Sequence, residues 1–152
     1  MHKVHVVLDS TAALPDAMLE ANKNLHVVPL SVILGQREWR EDQLNSEELF
    51  SLIQESGEFP KTSQPPPGDF IRTFQPIVEE GSDIVVITLS SGLSGTIQSA
   101  RTAARSMDSK RIFVVDSGTT AIGMVKMAET ALAMAANGKT ALEIAGFMEK
   151  LS

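Results

Sequence analysis

The sequence predicts an α/β fold, with helices packed on each side of a mainly parallel sheet. Two observations carry this. Short β-branched runs alternate with longer segments of helical period along the chain, and three of the four runs are almost wholly apolar. A strand covered on both faces has that composition, whereas a half-solvated antiparallel strand alternates.

Taken in order, KVHVVL (residues 3–8) is the first predicted strand. Pro15 to Lys23 opens with proline at a first helical turn. LHVVPLSVIL (25–34) reads as one second strand, and REWRED around Trp39 as a charged surface or edge stretch. Asn45-Ser46-Glu47-Glu48 resembles a capping box leading into ELFSLIQES. KTSQPPPG (61–68) reads as a stiff extended linker, because each proline restricts the residue before it. From Asp69 to Glu80, Phe70, Ile71, Phe74, Ile77 and Val78 share one helical face, with a kink or split expected at Pro76. DIVVITL (83–89) and RIFVVD (111–116) are the third and fourth strands, separated by the helical pattern TIQSARTAARSM. Ala121 to Asn137 forms an Ala/Met helix stopped by Gly138, and Thr140-Ala-Leu-Glu143 caps a last helix over 141–151.

At 152 residues with 43% apolar content, the chain fits one domain with its own core. Thirteen Lys and Arg against 19 Asp and Glu give a formal charge of −6 without a basic cluster, which argues against nucleic acid as a partner. There is no cysteine, so disulfides, thiolate nucleophiles and cysteine metal sites are absent. MHKVHVVLDS lacks the h-region and cleavage site of a secretory signal, and no apolar run reaches the length of a bilayer span. The cytoplasm is the expected location.

In an open parallel sheet, ligands bind outside the carboxyl ends of the strands. Three predicted strands end there in polar clusters: Asp9-Ser10-Thr11, Ser90-Ser91-Gly92-Leu93-Ser94-Gly95-Thr96 and Asp116-Ser117-Gly118-Thr119-Thr120. Thr62 and Ser63 lie near that rim if the linker before the next helix runs past it. After Ser94 a helix begins, so Gly95 and Thr96 are expected to offer free N–H groups at its positive end. Hydroxyls and amides without a cation suit one small anion such as a carboxylate. A phosphate-rich ligand fits less well, since neither the GxxxxGK[ST] lysine nor GxGxxG spacing is present. Plain capping of helix starts is the competing explanation for these serines and threonines.

Other arrangements are weaker. Gly92-Leu93-Ser94-Gly95 falls one residue short of GxSxG, and the three histidines, His2, His5 and His26, lie away from the strands' carboxyl ends, so no triad is expected. Asp9 and Asp116 would suit a Mg²⁺-dependent phosphoryl-transfer enzyme, although no orienting lysine accompanies them. Met107, Met124, Met127, Met134 and Met148 read as core in preference to a pocket lining.

The stretches VLDSTAALP, VVPLSVILG, KTSQPPPGDF, ITLSSGLSGTIQSA and VVDSGTTAIG, in this order, resemble the DegV family of bacterial fatty-acid-binding proteins. The resemblance implies a three-layer α/β/α sandwich. It implies a site where Thr62 and Ser63 of TSQ and Ser94 and Gly95 of LSGT hold the carboxylate of a long-chain fatty acid whose tail enters the domain. It further implies a carrier without cofactor, metal or catalytic residue, which presents the acid to a separate fatty acid kinase. Family members run to nearly twice this length, with a second α/β domain over the carboxylate end. Residues 1–152 therefore correspond to the lipid-binding N-terminal domain, and an uncovered rim would favour a homodimer or a second-domain partner.

Overall fold

The computed structural model describes residues 3–107 and 110–152. Four parallel strands form the central sheet: β1 (Val4–Asp9), β2 (Leu25–Val28), β6 (Asp83–Thr88) and β7 (Ile112–Asp116), in the order β2-β1-β6-β7. The predicted layering is present. Every residue of β1 is buried, as expected for a strand covered on both faces.

Alternation divides the core in two. Val6, Leu8, Val85, Ile87 and Val115 face α5 (Ile122–Ala136) and α6 (Ala141–Leu151), where they meet Met124, Met127, Ile144 and Met148. Val7, Val28, Ile84, Val86 and Ile112 face α3 (Pro67–Glu79) and α4 (Thr96–Ser106), where they meet Phe70, Phe74 and Ile77. Met107 and Met134 pack at the edges of these clusters, so the methionines are core. A slip of one residue in β1 would send both sets to the wrong layer, so the register Val6↔Val85 and Leu8↔Ile87 is held by packing as well as by the ladder.

Two sequence expectations are corrected. LHVVPLSVIL is two strands: β2 ends at Val28, and β3 (Ser31–Leu34) is the middle strand of a separate antiparallel sheet. Pro29 has no N–H for a ladder, and the N–H of Leu30 donates at 2.9 Å to the Ser10 hydroxyl, so the chain leaves the parallel sheet at this point. The partners of β3 are β4 (Arg37–Arg40), across a two-residue turn with Gly35 at φ 63°, and β5 (Lys61–Ser63). The supposed linker KTSQPPPG thus begins as a strand. Trp39 sits on the edge strand β4, half-buried, with the Arg37 guanidinium 4.9 Å from its ring centre. The second correction concerns the alternative of a split at Pro76, since α3 runs unbroken through it from Pro67 to Glu79. Pro76 occupies an exposed position of the helix, facing solvent.

Helix α1 (Asp16–Ala21) begins one residue after Pro15. Helix α2 (Ser46–Ser56) is capped by Asn45, which accepts from the Glu48 N–H at 2.8 Å and donates to the Glu48 carboxylate at 2.7 Å. None of its residues is buried, and Phe50 is 61% exposed. Among the described residues no helix is long and apolar enough to cross a membrane.

His5 and His26 stack on the α3 side of the β1–β2 pair, with His5 Nδ1 and His26 Nε2 2.9 Å apart. His2 lies outside the described residues. His5 Nε2 also faces Glu80 Oε1 at 3.4 Å, so a neutral His5 that donates there accepts from His26. Burial lowers the pKa of both imidazoles; Glu80 opposes this for each, while Lys3 adds to it at His5 and His5 adds to it at His26. Between those lowered values and the ordinary value near 6.5, the unfolded chain binds more protons than the folded one, so stability rises with pH through that window and is lost as pH falls. Urea midpoints measured from about pH 5 to 7.5 should show this slope. His26→Gln should flatten it, and an unchanged slope would exclude the pair as its source.

Candidate functional site

The carboxyl ends of β1, β6 and β7 lie on one rim, as the three polar junctions predict, because the strands are parallel and adjacent. The loops that leave them are tied together. Asp9 is completely buried; Oδ1 accepts from the Thr11 N–H at 2.9 Å and from the Thr11 hydroxyl, and Oδ2 accepts from the Leu89 N–H at 2.8 Å. Ser90 N–H donates to Thr119 O at 2.8 Å and Ser117 N–H to Thr88 O at 3.0 Å, joining the loops after β6 and β7. Asp116 accepts from the N–H groups of Ser91 at 3.2 Å and Gly118 at 3.0 Å. Burial pushes the Asp116 carboxyl up, but the Ser91 hydroxyl, these two amides and the Arg101 charge outweigh it and hold the pKa below its ordinary value. Both aspartates are thus bound into the loops, and neither presents an uncommitted carboxylate pair for Mg²⁺.

Both non-glycine residues of positive φ among the described ones, Ala13 at 51° and Ala121 at 47°, lie in these rim loops. A side chain in that region is strained, and such strain gathers where surrounding structure holds a loop in one shape.

Helix α4 begins at Thr96, with Gly95 before it. The expectation that Gly95 and Thr96 both offer free amides is half corrected, because the Thr96 N–H donates to Ser94 Oγ at 3.1 Å. The capping explanation therefore holds for Ser94. It does not exhaust the hydroxyl: Thr96 Oγ1 lies 2.9 Å from Ser94 Oγ and can donate to it, which leaves the hydrogen of Ser94 for an acceptor at the rim. The amides of Gly95 and Ile97 have no acceptor among the described residues. Hydroxyl and amides together make a positive end without a cation.

Strand β5 brings the TSQ residues to this helix start. Gln64, next to Ser63, donates from Nε2 to Ser99 Oγ on α4 at 3.4 Å, and its amide lies against Gly95. Ser63 pairs with Ser31 and is half-buried, whereas Thr62 pairs with Val32 and is exposed. Successive residues of a strand point to opposite faces, so the two hydroxyls diverge. Thr62 lines a cleft of about 260 Å³ together with Val32, Leu44, Leu49 and Pro60, under α2. The structure therefore brings Gln64 to Gly95 and Ser99, with Ser63 next to it in the chain and Thr62 beside a largely apolar cleft. Gln64 and Ser99 were not legible as site residues, since an amide and a helical serine carry no motif of their own.

A family model described as "uncharacterised protein, DegV family" matches residues 3–152. A DegV domain-containing protein of Listeria innocua is 42% identical over 137 residues, covering 86% of this chain and 48% of that protein. One from Streptococcus pneumoniae is 33% identical over 152 residues and 54% of its own length. The chain thus spans about half the length of the curated relatives it matches. Among solved structures, a DegV family protein from Thermus thermophilus described by its fatty acid binding superposes with TM-score 0.85 at 32% identity, over 98% of this chain and 53% of that one. DegV of Bacillus subtilis, described as a fatty acid binding protein, gives 0.84 at 31% identity, over 99% and 54%. Sequence match along nearly the whole length and a shared three-layer fold lead to one assignment: this chain belongs to the DegV family.

Proposed function

We propose that this chain is the lipid-binding N-terminal domain of a fatty-acid carrier. Its rim would hold the carboxylate of a long-chain fatty acid through Thr62, Ser63, Ser94 and Gly95 and present it to a separate fatty acid kinase, without catalysis by the domain itself. The observation that carries this reading is the start of α4, where the Ser94 hydroxyl and the Gly95 and Ile97 amides, which have no acceptor among the described residues, follow one another with no lysine, arginine or histidine among them. One delocalised negative charge suits that set; a phosphate, which calls for more charge compensation, suits it less. The solved relatives described as fatty acid binding proteins support the same ligand class.

The head group orients while the tail supplies affinity. Each buried CH₂ contributes about 0.8 kcal/mol, so a long acyl chain gains on the order of 10 kcal/mol, against about 1.5–3 kcal/mol for one hydrogen bond to its charged head. The rival reading, Mg²⁺-dependent phosphoryl transfer by Asp9 and Asp116, is disfavoured because Asp9 is fully buried with both carboxylate oxygens taken by loop donors, and Asp116 Oδ1 already accepts from two loop amides.

Mass spectrometry of lipid extracted from the gently purified chain tests this. A co-purified long-chain fatty acid in near-stoichiometric amount is expected. An empty protein that gains stability only with Mg²⁺ and a phosphate analogue would overturn the reading.

A further inference from the structure

We infer that Gln64 is a positioning residue that holds the TSQ corner against the start of α4, and that position 95 is glycine to seat the Gln64 amide. The inference rests on the carboxylate-site reading above. Gly95 has φ −83° and ψ 10°, a conformation open to any residue, so the backbone does not demand glycine there. Space does. A Cβ on residue 95 would overlap Gln64 Oε1 and approach Cδ to 3.1 Å and Nε2 to 3.4 Å. From that seat Nε2 reaches Ser99 Oγ, one turn along α4 and itself buried. The Gln64 amide therefore spans from Gly95 to Ser99, while the backbone of Gln64 continues directly to Ser63 on one side and to the stiff Pro65-Pro66-Pro67 run on the other.

The two parts of the site come from different sheets. Ser94 and Gly95 follow β6 of the parallel sheet, whereas Thr62 and Ser63 lie on β5 of the antiparallel one. Gln64 bridges them at the point where a carboxylate would need donors from both, so it acts on geometry and not by touching the ligand.

Because the overlapping atoms are the far end of an exposed side chain, Gly95→Ala should displace the amide without unfolding the protein. Palmitic acid and methyl palmitate are titrated against the wild-type chain, Gln64→Ala, Gly95→Ala and the double variant, with circular dichroism confirming each fold. Each single variant is expected to bind the acid about fivefold to tenfold more weakly, with the ester changed by less than about twofold, since only the acid presents a carboxylate to a misaligned donor set. The double variant should be no worse than either single one, because both changes remove the same contact. Acid and ester weakening together, or the two losses multiplying, would overturn the positioning role. A wild-type chain that takes up neither ligand would overturn the fatty-acid reading itself, and this inference with it.

Discussion

Asp9→Ala is expected to destabilise the fold by about 3–5 kcal/mol, although Asp9 lies on the rim of strand ends where the ligand is proposed to bind. The carboxylate is fully buried and accepts three hydrogen bonds, two within its own turn and one from Leu89 across the sheet. Hydrogen bonds to a charged acceptor contribute about 1.5–3 kcal/mol each, and a buried N–H left without a partner costs about 1–3 kcal/mol more, with partial compensation by relaxation. Leu89 is 7% exposed, so its N–H has little recourse to water. Urea denaturation gives the value directly. A folded variant within about 0.5 kcal/mol of wild type would show that Asp9 is not the clamp described, and would return it to consideration as a chemical group.

Ser94→Ala should weaken fatty-acid binding by about 1.5–3 kcal/mol, or roughly tenfold to 150-fold in Kd. It should also lose about 1 kcal/mol of stability, because Ser94 Oγ accepts from the Thr96 N–H in the turn that leads into α4. Ser94→Gly removes the same hydroxyl from the residue before the Gly95 cap and should lose the same affinity. Fluorescent fatty-acid titration alongside thermal melts reads both quantities. Unchanged affinity in both folded variants would remove Ser94 from the site and leave it a cap alone.

The parallel sheet was legible because its strands are apolar throughout, and apolar runs bounded by turns have few other uses in a chain of this size. The helices were legible from their caps; Asn45, Thr140 and Gly138 mark their ends in the structure as in the sequence. The antiparallel sheet was not. REWR is a polar edge strand and KTS is three residues long, so neither has the hydrophobic alternation that announces a strand, and both are held by pairing to β3. For the site, the rim followed from strand direction, which is a topological matter. Whether Ser94 caps or binds did not follow, since a serine hydroxyl before a helix looks the same in sequence in either role. Nor did Gln64 stand out, because its contact is with a glycine whose significance lies in the space beside it.

The division of labour between the two sheets bears on how such a site can change over time. The chain leaves the parallel sheet at Pro29 and returns to it with α3 at Pro67, and everything between is an excursion anchored at both ends. Closing a loop costs entropy only logarithmically in its length, about 0.6 kcal/mol for each doubling, so residues can be gained or lost in this excursion at small cost to the remainder. The core faces that meet α3, α4, α5 and α6 do not depend on it. Thr62, Ser63 and the apolar cleft beside them lie on the excursion, whereas Ser94 and Gly95 are fastened to the core. If Thr62 and Ser63 hold the ligand as proposed, that half of the site can vary in descendants while the core-anchored half and the foldability of the chain are inherited unchanged.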